Sequence, residues 1–96
     1  MYLIISNYIV DPAKVDPHRK SHADWVAKHV ADGTFIIAGP KDTKAGGVIL
    51  ARSIDKAALA AIIAEDSFVT EKLVENQIVA FDPVFATEQF SALKAL

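Results

Sequence analysis

The segment "YLIISNYIV" (Tyr2–Val10) decides how the rest of the chain must fold. It is rich in β-branched and aromatic residues and stops at Asp11-Pro12, so a strand over 2–10 is expected. Its odd positions Leu3, Ile5 and Ile9 are apolar, and so are its even positions Tyr2, Ile4, Tyr8 and Val10. A strand that is apolar on both sides must be covered on both sides.

The flanking segments say what the cover is. Residues 15–32 read as a helix closed by Gly33 as a left-handed cap. "TFIIAGP" (34–40) is a second strand, "KDTKA" (41–45) a loop and "GGVILARS" (46–53) a third strand. "SIDKAALAAIIAED" (53–66) is a second helix, with Ser53 or Asp55 as N-cap and Leu59, Ile62 and Ile63 at helical spacing. "SFVTEKLV" (67–74) is expected to be a broken helical turn and "NQIVAFDPV" (76–84) a fourth strand. "TEQFSALKAL" (87–96) reads as a short terminal helix with Phe90 and Leu93 facing the body. The order is βαββαβ, an α+β, ferredoxin-like arrangement of two helices on one face of an antiparallel sheet. It makes one domain over 1–96, of which 85–96 is a helical extension. Two helices cover one face only. A second copy of the chain, packed sheet against sheet, is the simplest cover for the other and predicts a homodimer.

Composition narrows the function. Just over half of the 96 residues are hydrophobic, enough for a core. The net charge of −2, with no run of basic residues, argues against nucleic acid or an anionic membrane as partner. The absence of cysteine removes disulfides, thiolate nucleophiles and cysteine-ligated metals. "MYLIISNYIV" is too short to span a bilayer and lacks the features of a signal peptide, so a cytoplasmic protein is expected.

"HRKSH" (His18–His22) poses the functional question. At about 100° per residue, Val15, His18, Arg19, His22, Trp25 and Val26 fall on one stripe of the first helix, and His29 and Val30 extend it. Lys20, Asp24, Ala27, Lys28 and Ala31 lie opposite. All three histidines of the chain thus share the side that carries Trp25. A half-buried imidazole needs a partner for each ring nitrogen. Three readings follow: structural hydrogen bonds, a metal held by His18 and His22 at i, i+4 spacing, or a catalytic base steered by a carboxylate. No third ligand has a fixed local relation to the histidines, which ranks metal last. Asp11, Asp16, Asp24, Asp42, Asp55 and Asp82 fall in turns, on the outer helix face or at strand ends. Asp66, in "AEDSF", follows the second helix where the chain turns back to the sheet. Capping the next turn and steering a base are equally good readings of it, and the two are compatible. Trp25, Phe35 and Phe68 serve equally as walls for a flat ring or as ordinary core.

"HRKSHADWVAKHVADGTFIIAGP" resembles the signature of the YciI-like (YCII-related) proteins, in which Arg-x-x-His on the first helix precedes a strand ending in Ala/Ser-Gly-Pro. "GGVILA" and "EDSF" are similar to the family's third strand and its Asp-Pro-Phe/Tyr motif, and the ordered set spans roughly residues 1–84. The resemblance implies a dimeric α+β barrel and a His–Asp pair in a pocket near the sheet, carried onto His22 and Asp66. Arg19 matches the arginine one turn before that histidine, while His18 and His29 match no signature position. Substrate contacts are expected from Arg19, Ser67, Phe68, Trp25 and Pro40. Two departures bear on substrate: Ser67 stands where relatives have proline, and "DTKAGG" replaces Pro-Arg-Thr-Gly-Gly, leaving Lys41 or Lys44 to supply positive charge there. The activity that the resemblance implies is a cofactor-independent lyase with neither metal nor organic cofactor. It would dehydrochlorinate a chlorinated hydroxyhydroquinone to a hydroxybenzoquinone in aromatic degradation. A muconolactone-isomerase-like proton transfer and a non-catalytic dimeric binding module are the alternatives.

Overall fold

In the computed structural model, which describes residues 1–96, four strands form one antiparallel sheet. They are β1 (Tyr2–Tyr8), β2 (Phe35–Pro40), β3 (Gly46–Ala51) and β4 (Val74–Ala80), in the order β2-β3-β1-β4. The register alternates the two faces of β1 as the residues require. Ile4 stands between Ile49 and Ile78, while Leu3 stands between Leu50 and Val79. The first set turns towards the helices and the second away from them.

The helices are α1 (Pro12–Val15), α2 (Arg19–Ala31), α3 (Lys56–Ala64) and α4 (Ser67–Thr70). They bury Tyr2, Ile4, Trp25, Phe35, Ile49 and Ala51 together with Leu59 and Ile63 of α3. Trp25 joins the two long helices directly, its Nε1–H donating to the Ile62 carbonyl at 2.9 Å. Val15, Phe68 and Leu73 form a second cluster, with Tyr8, Val10 and Val74 packed on it. The α+β, ferredoxin-like fold is as expected. No helix is long and apolar enough to cross a membrane.

Local chemistry shifts several boundaries. The first helix begins earlier than 15 and is interrupted: Asp11 caps α1 by accepting from Ala13 N–H at 2.9 Å, and a 3-10 turn over Asp16–His18 follows. Pro17, which has no N–H to continue a helical ladder, sits in that turn. The second helix starts at Lys56, after Asp55 in extended conformation, and β4 spans 74–80 rather than 76–84. β4 ends there because Ala80 already pairs with Tyr2, and only Met1 is left to accept from Phe81 N–H. The C-terminal segment is a 3-10 stretch over Glu88–Ala95, kinked at Phe90, instead of an α-helix. Ten residues without a packed face are too short to hold α-helix. Phe90 is exposed rather than turned to the body, and Leu93 is half-buried.

His29, buried in α2, bridges two carboxylates: Nδ1 lies 2.9 Å from Asp32 Oδ2 and Nε2 2.9 Å from Glu65 Oε1. This clamp ties the end of α2 to the end of α3. Asp32 is held below its ordinary value of 3.8, chiefly by the Thr34 backbone N–H and less by His29. Glu65 is held below 4.5, chiefly by its bond to His29 and then by Lys28. Depressed carboxylates stabilise the fold above their ordinary values, and that contribution is lost as pH falls through the lowered ones. Melting followed from pH 6 to pH 3 should therefore show a steeper acid loss for the native chain than for an Asp32→Asn, Glu65→Gln variant. Parallel curves would show that the clamp carries no such linkage.

Candidate active site

A cleft of about 450 Å³ opens between α2 and the helix-covered face of β1 and β3. His22, one turn into α2, and Asp66, between α3 and α4, both line it. Asp66 has an extended backbone (φ −67°, ψ 127°) at the N-cap of α4, and its Oδ1 accepts from Phe68 N–H at 3.1 Å. The same oxygen lies 2.7 Å from His22 Nδ1. A buried carboxylate there makes Nδ1 the donor, so Nε2 is left as the acceptor of the ring. Phe68 lies flat on the imidazole, centroids 3.9 Å apart and planes within 1°. The ring is thus fixed from two sides, by the carboxylate at Nδ1 and by the phenyl face. The side chain of His22 stays 27% exposed and that of Asp66 only 5%, so the imidazole reaches solvent while its partner does not.

Arg19 lies one turn before His22 and also lines the cleft. Its Nε donates to Asp16 Oδ1 at 2.7 Å and its Nη1 to the Tyr8 hydroxyl at 3.1 Å. Asp16, and then Tyr8, raise its pKa above the ordinary arginine value. Trp25, Phe68 and Pro40, from which substrate contacts are expected, line the cleft, Trp25 while also belonging to the core. Phe35 does not: it is buried beneath Trp25 and serves the core alone.

Ser67, also expected to contact substrate, lies elsewhere. It is not among the residues lining the cleft, because its hydroxyl is taken by Ser21 Oγ at 2.7 Å and the His18 carbonyl at 3.4 Å, tying α4 to the start of α2. Neither Lys41 nor Lys44 brings charge to the cleft. Lys41 is bonded to Asn7 on the far side of β1, and Lys44 holds a left-handed turn at φ 63°. Arg19 is the cation of the cleft. No group of three metal-ligating side chains assembles anywhere in the chain.

Some of the lining was not legible in the pattern. Tyr8, Ser6 and Asn76 form a polar strip on the floor, Ser6 and Asn76 being paired across β1 and β4. Tyr8 reads in sequence as one more apolar residue of a strand. Period-2 alternation from Ile4 does place Ser6 and Tyr8 on its side, which is the signal that could have found them. Ala27, assigned to the outer helix face, lines the rim with Ala23 and Val30, and small apolar residues carry no chemical signature.

Among solved structures, the fold is similar to that of 5-chloro-2-hydroxyhydroquinone dehydrochlorinase from Burkholderia phenoliruptrix, in complex with 2,5-dihydroxybenzoquinone. The likeness has a TM-score of 0.68 at 13% sequence identity and covers 84% of this chain and 93% of that one. At that identity it speaks for the fold. No curated protein sequence matches the chain. The family model of the YCII-related domain matches residues 1–82, nearly the whole sheet-and-helix body, and the chain belongs to that family.

Proposed function

We propose that the cleft is the active site of a cofactor-independent lyase that removes HCl from a small chlorinated hydroxyhydroquinone, with His22 as base and Asp66 as its steering carboxylate. The observation that carries this reading is the 2.7 Å Nδ1–Oδ1 contact of a half-exposed imidazole on the wall of a cleft of ring size. The neighbour of like fold is a dehydrochlorinase bound to a hydroxyquinone, which favours this chemistry over other proton transfers.

The reaction balances without an oxidant. A trihydroxylated chlorobenzene loses two hydroxyl protons on its way to a hydroxybenzoquinone. One of them moves to the ring carbon that bears chlorine, and the other leaves with chloride as HCl. The carbon–chlorine pair departs with chloride, and the new carbon–hydrogen bond is made from a ring π pair, so that carbon is reduced by two electrons while the two carbons that become carbonyls are each oxidised by one. Nε2 accepts the first phenolic proton, Asp66 balances the positive charge that forms, and the same imidazole returns the proton to carbon before accepting the second. The cation of Arg19 favours the oxyanion stage, a contribution that counts for more where water is excluded.

The assembly proposed here is a homodimer. Leu3, Ile5, Ile37, Val48, Leu50 and Val79 lie on the sheet face that no helix covers, and Ile37 is 65% exposed. A second copy placed on that face would bury them all.

Incubation with 5-chloro-2-hydroxyhydroquinone tests the reading, with chloride followed by ion chromatography and quinone by absorbance. Equal yields of chloride and hydroxybenzoquinone above the buffer rate are expected. Binding without chloride release would make the chain a binding module.

A further inference from the structure

We propose that the Tyr8 hydroxyl, rather than the Arg19 guanidinium, touches the oxyanion of the bound ring, and that Arg19 is the residue that positions it. The inference rests on the proposed function and deepens it, adding a second contact point for the substrate across from the base.

The argument is one of directions. Arg19 spends Nε on Asp16 at 2.7 Å and one Nη1 hydrogen on Tyr8 at 3.1 Å, with its central carbon 5.8 Å above the Tyr8 ring. Its side chain is 48% exposed, so much of its field is spent on water. A phenol has a single proton to give. Because the Tyr8 oxygen accepts from Arg19, its own proton must point elsewhere, and its hydroxyl donates to no group of the protein. Tyr8 lines the cleft. Its ring meets Phe68 edge-on at 6.0 Å, and Phe68 is the ring that lies on His22. One continuous aromatic contact therefore holds the donor and the base in a fixed relation. A hydroxyl that accepts from a cation is polarised into a stronger donor. The floor beside it, Ser6 and Asn76, is polar, so a ligand's oxygen-bearing edge belongs at this end. The ligand class is a small planar ring with two oxygen functions, one giving its proton to Nε2 and the other held as an anion by Tyr8.

The test is a double-mutant cycle on the whole protein, using 2,5-dihydroxybenzoquinone as the anionic probe and its neutral dimethyl ether as control. Tyr8→Phe keeps the ring and removes only the donor. It should weaken the anion about 10- to 100-fold, the range for hydrogen bonds to charged groups, and leave the ether unchanged. Arg19→Met should cost a similar factor, and the double variant little more than either alone, since both act through one contact. Anion binding by Tyr8→Phe within twofold of the native protein overturns the inference. So do losses that simply multiply in the double variant, which would mean that Arg19 touches the ligand itself. If the native protein neither binds the probe nor releases chloride, the proposed function fails as well. Turnover that survives Tyr8→Phe undiminished removes this inference alone.

Discussion

His22→Ala is expected to lower the rate of chloride release about 10²- to 10⁴-fold, the usual contribution of a positioned base, while the protein still folds and binds hydroxyquinones. Its removal takes the stacking contact from Phe68 and leaves the Asp66 carboxylate only the Phe68 N–H, so some stability is lost, and the rate is to be compared at a temperature where circular dichroism shows the variant folded. Asp66→Asn is the sharper companion. Its remaining carbonyl oxygen can still cap α4 at Phe68 N–H, but the negative charge is gone and the amide can turn its NH₂ to the ring. The rate should fall with little change in melting temperature. An alanine at 66 would confound the result by losing the cap as well, a cost of about 1 kcal/mol. Should His22→Ala keep a rate within about fivefold of the native protein, a threshold well below the range above, the base lies elsewhere.

Gly46→Ala is expected to be the most damaging single methyl in the chain. Gly46 opens β3 at φ 154°, and a Cβ there would stand 1.9 Å from the Ser6 carbonyl oxygen and 2.8 Å from its carbon. Both are backbone atoms of β1, an inner strand paired on both sides, so neither can swing aside as a side chain would. Overpacking costs about 1–3 kcal/mol and an unfavourable backbone region as much again. Together, about 2–6 kcal/mol, they reach the lower end of the stability of a small domain, about 5–15 kcal/mol. Denaturant titration should find the variant unfolded or with its midpoint sharply lowered. Gly39→Ala, where nothing lies within 4 Å of the added carbon, is the control and should leave the midpoint in place. A Gly46→Ala midpoint equal to that of the control would mean that β1 and β3 can separate at little cost.

Element type was legible in this sequence wherever periodicity was long. The strands around Ile4, Ile37, Ile49 and Ile78 and the two long helices stand where spacing put them. Ends were less legible, because partners decide them: β4 runs as far as Ala80 because its last ladder partner on β1 is Tyr2, and Pro17 breaks a helix whose apolar stripe runs on through it. In the cleft, Asp66 could be singled out because its place after α3 differed from that of every other aspartate. Alternation from Ile4 could place Tyr8 on the same face, but an aromatic in a strand looks the same whether its hydroxyl faces a cleft or open water. Ser67 shows the converse. A hydroxyl in place of proline suggested a ligand contact, whereas the fold had a nearer use for it at Ser21 and His18.

Asp66 Oδ1 receives both the Phe68 amide of α4 and the imidazole, so local order and ring orientation are one event. A chain in which this four-residue turn has frayed also has an unaimed histidine. Any drift that loosened the histidine through this oxygen would expose Phe68 and Leu73 at the same moment, and cellular quality control would remove such a chain for its exposed apolar surface alone.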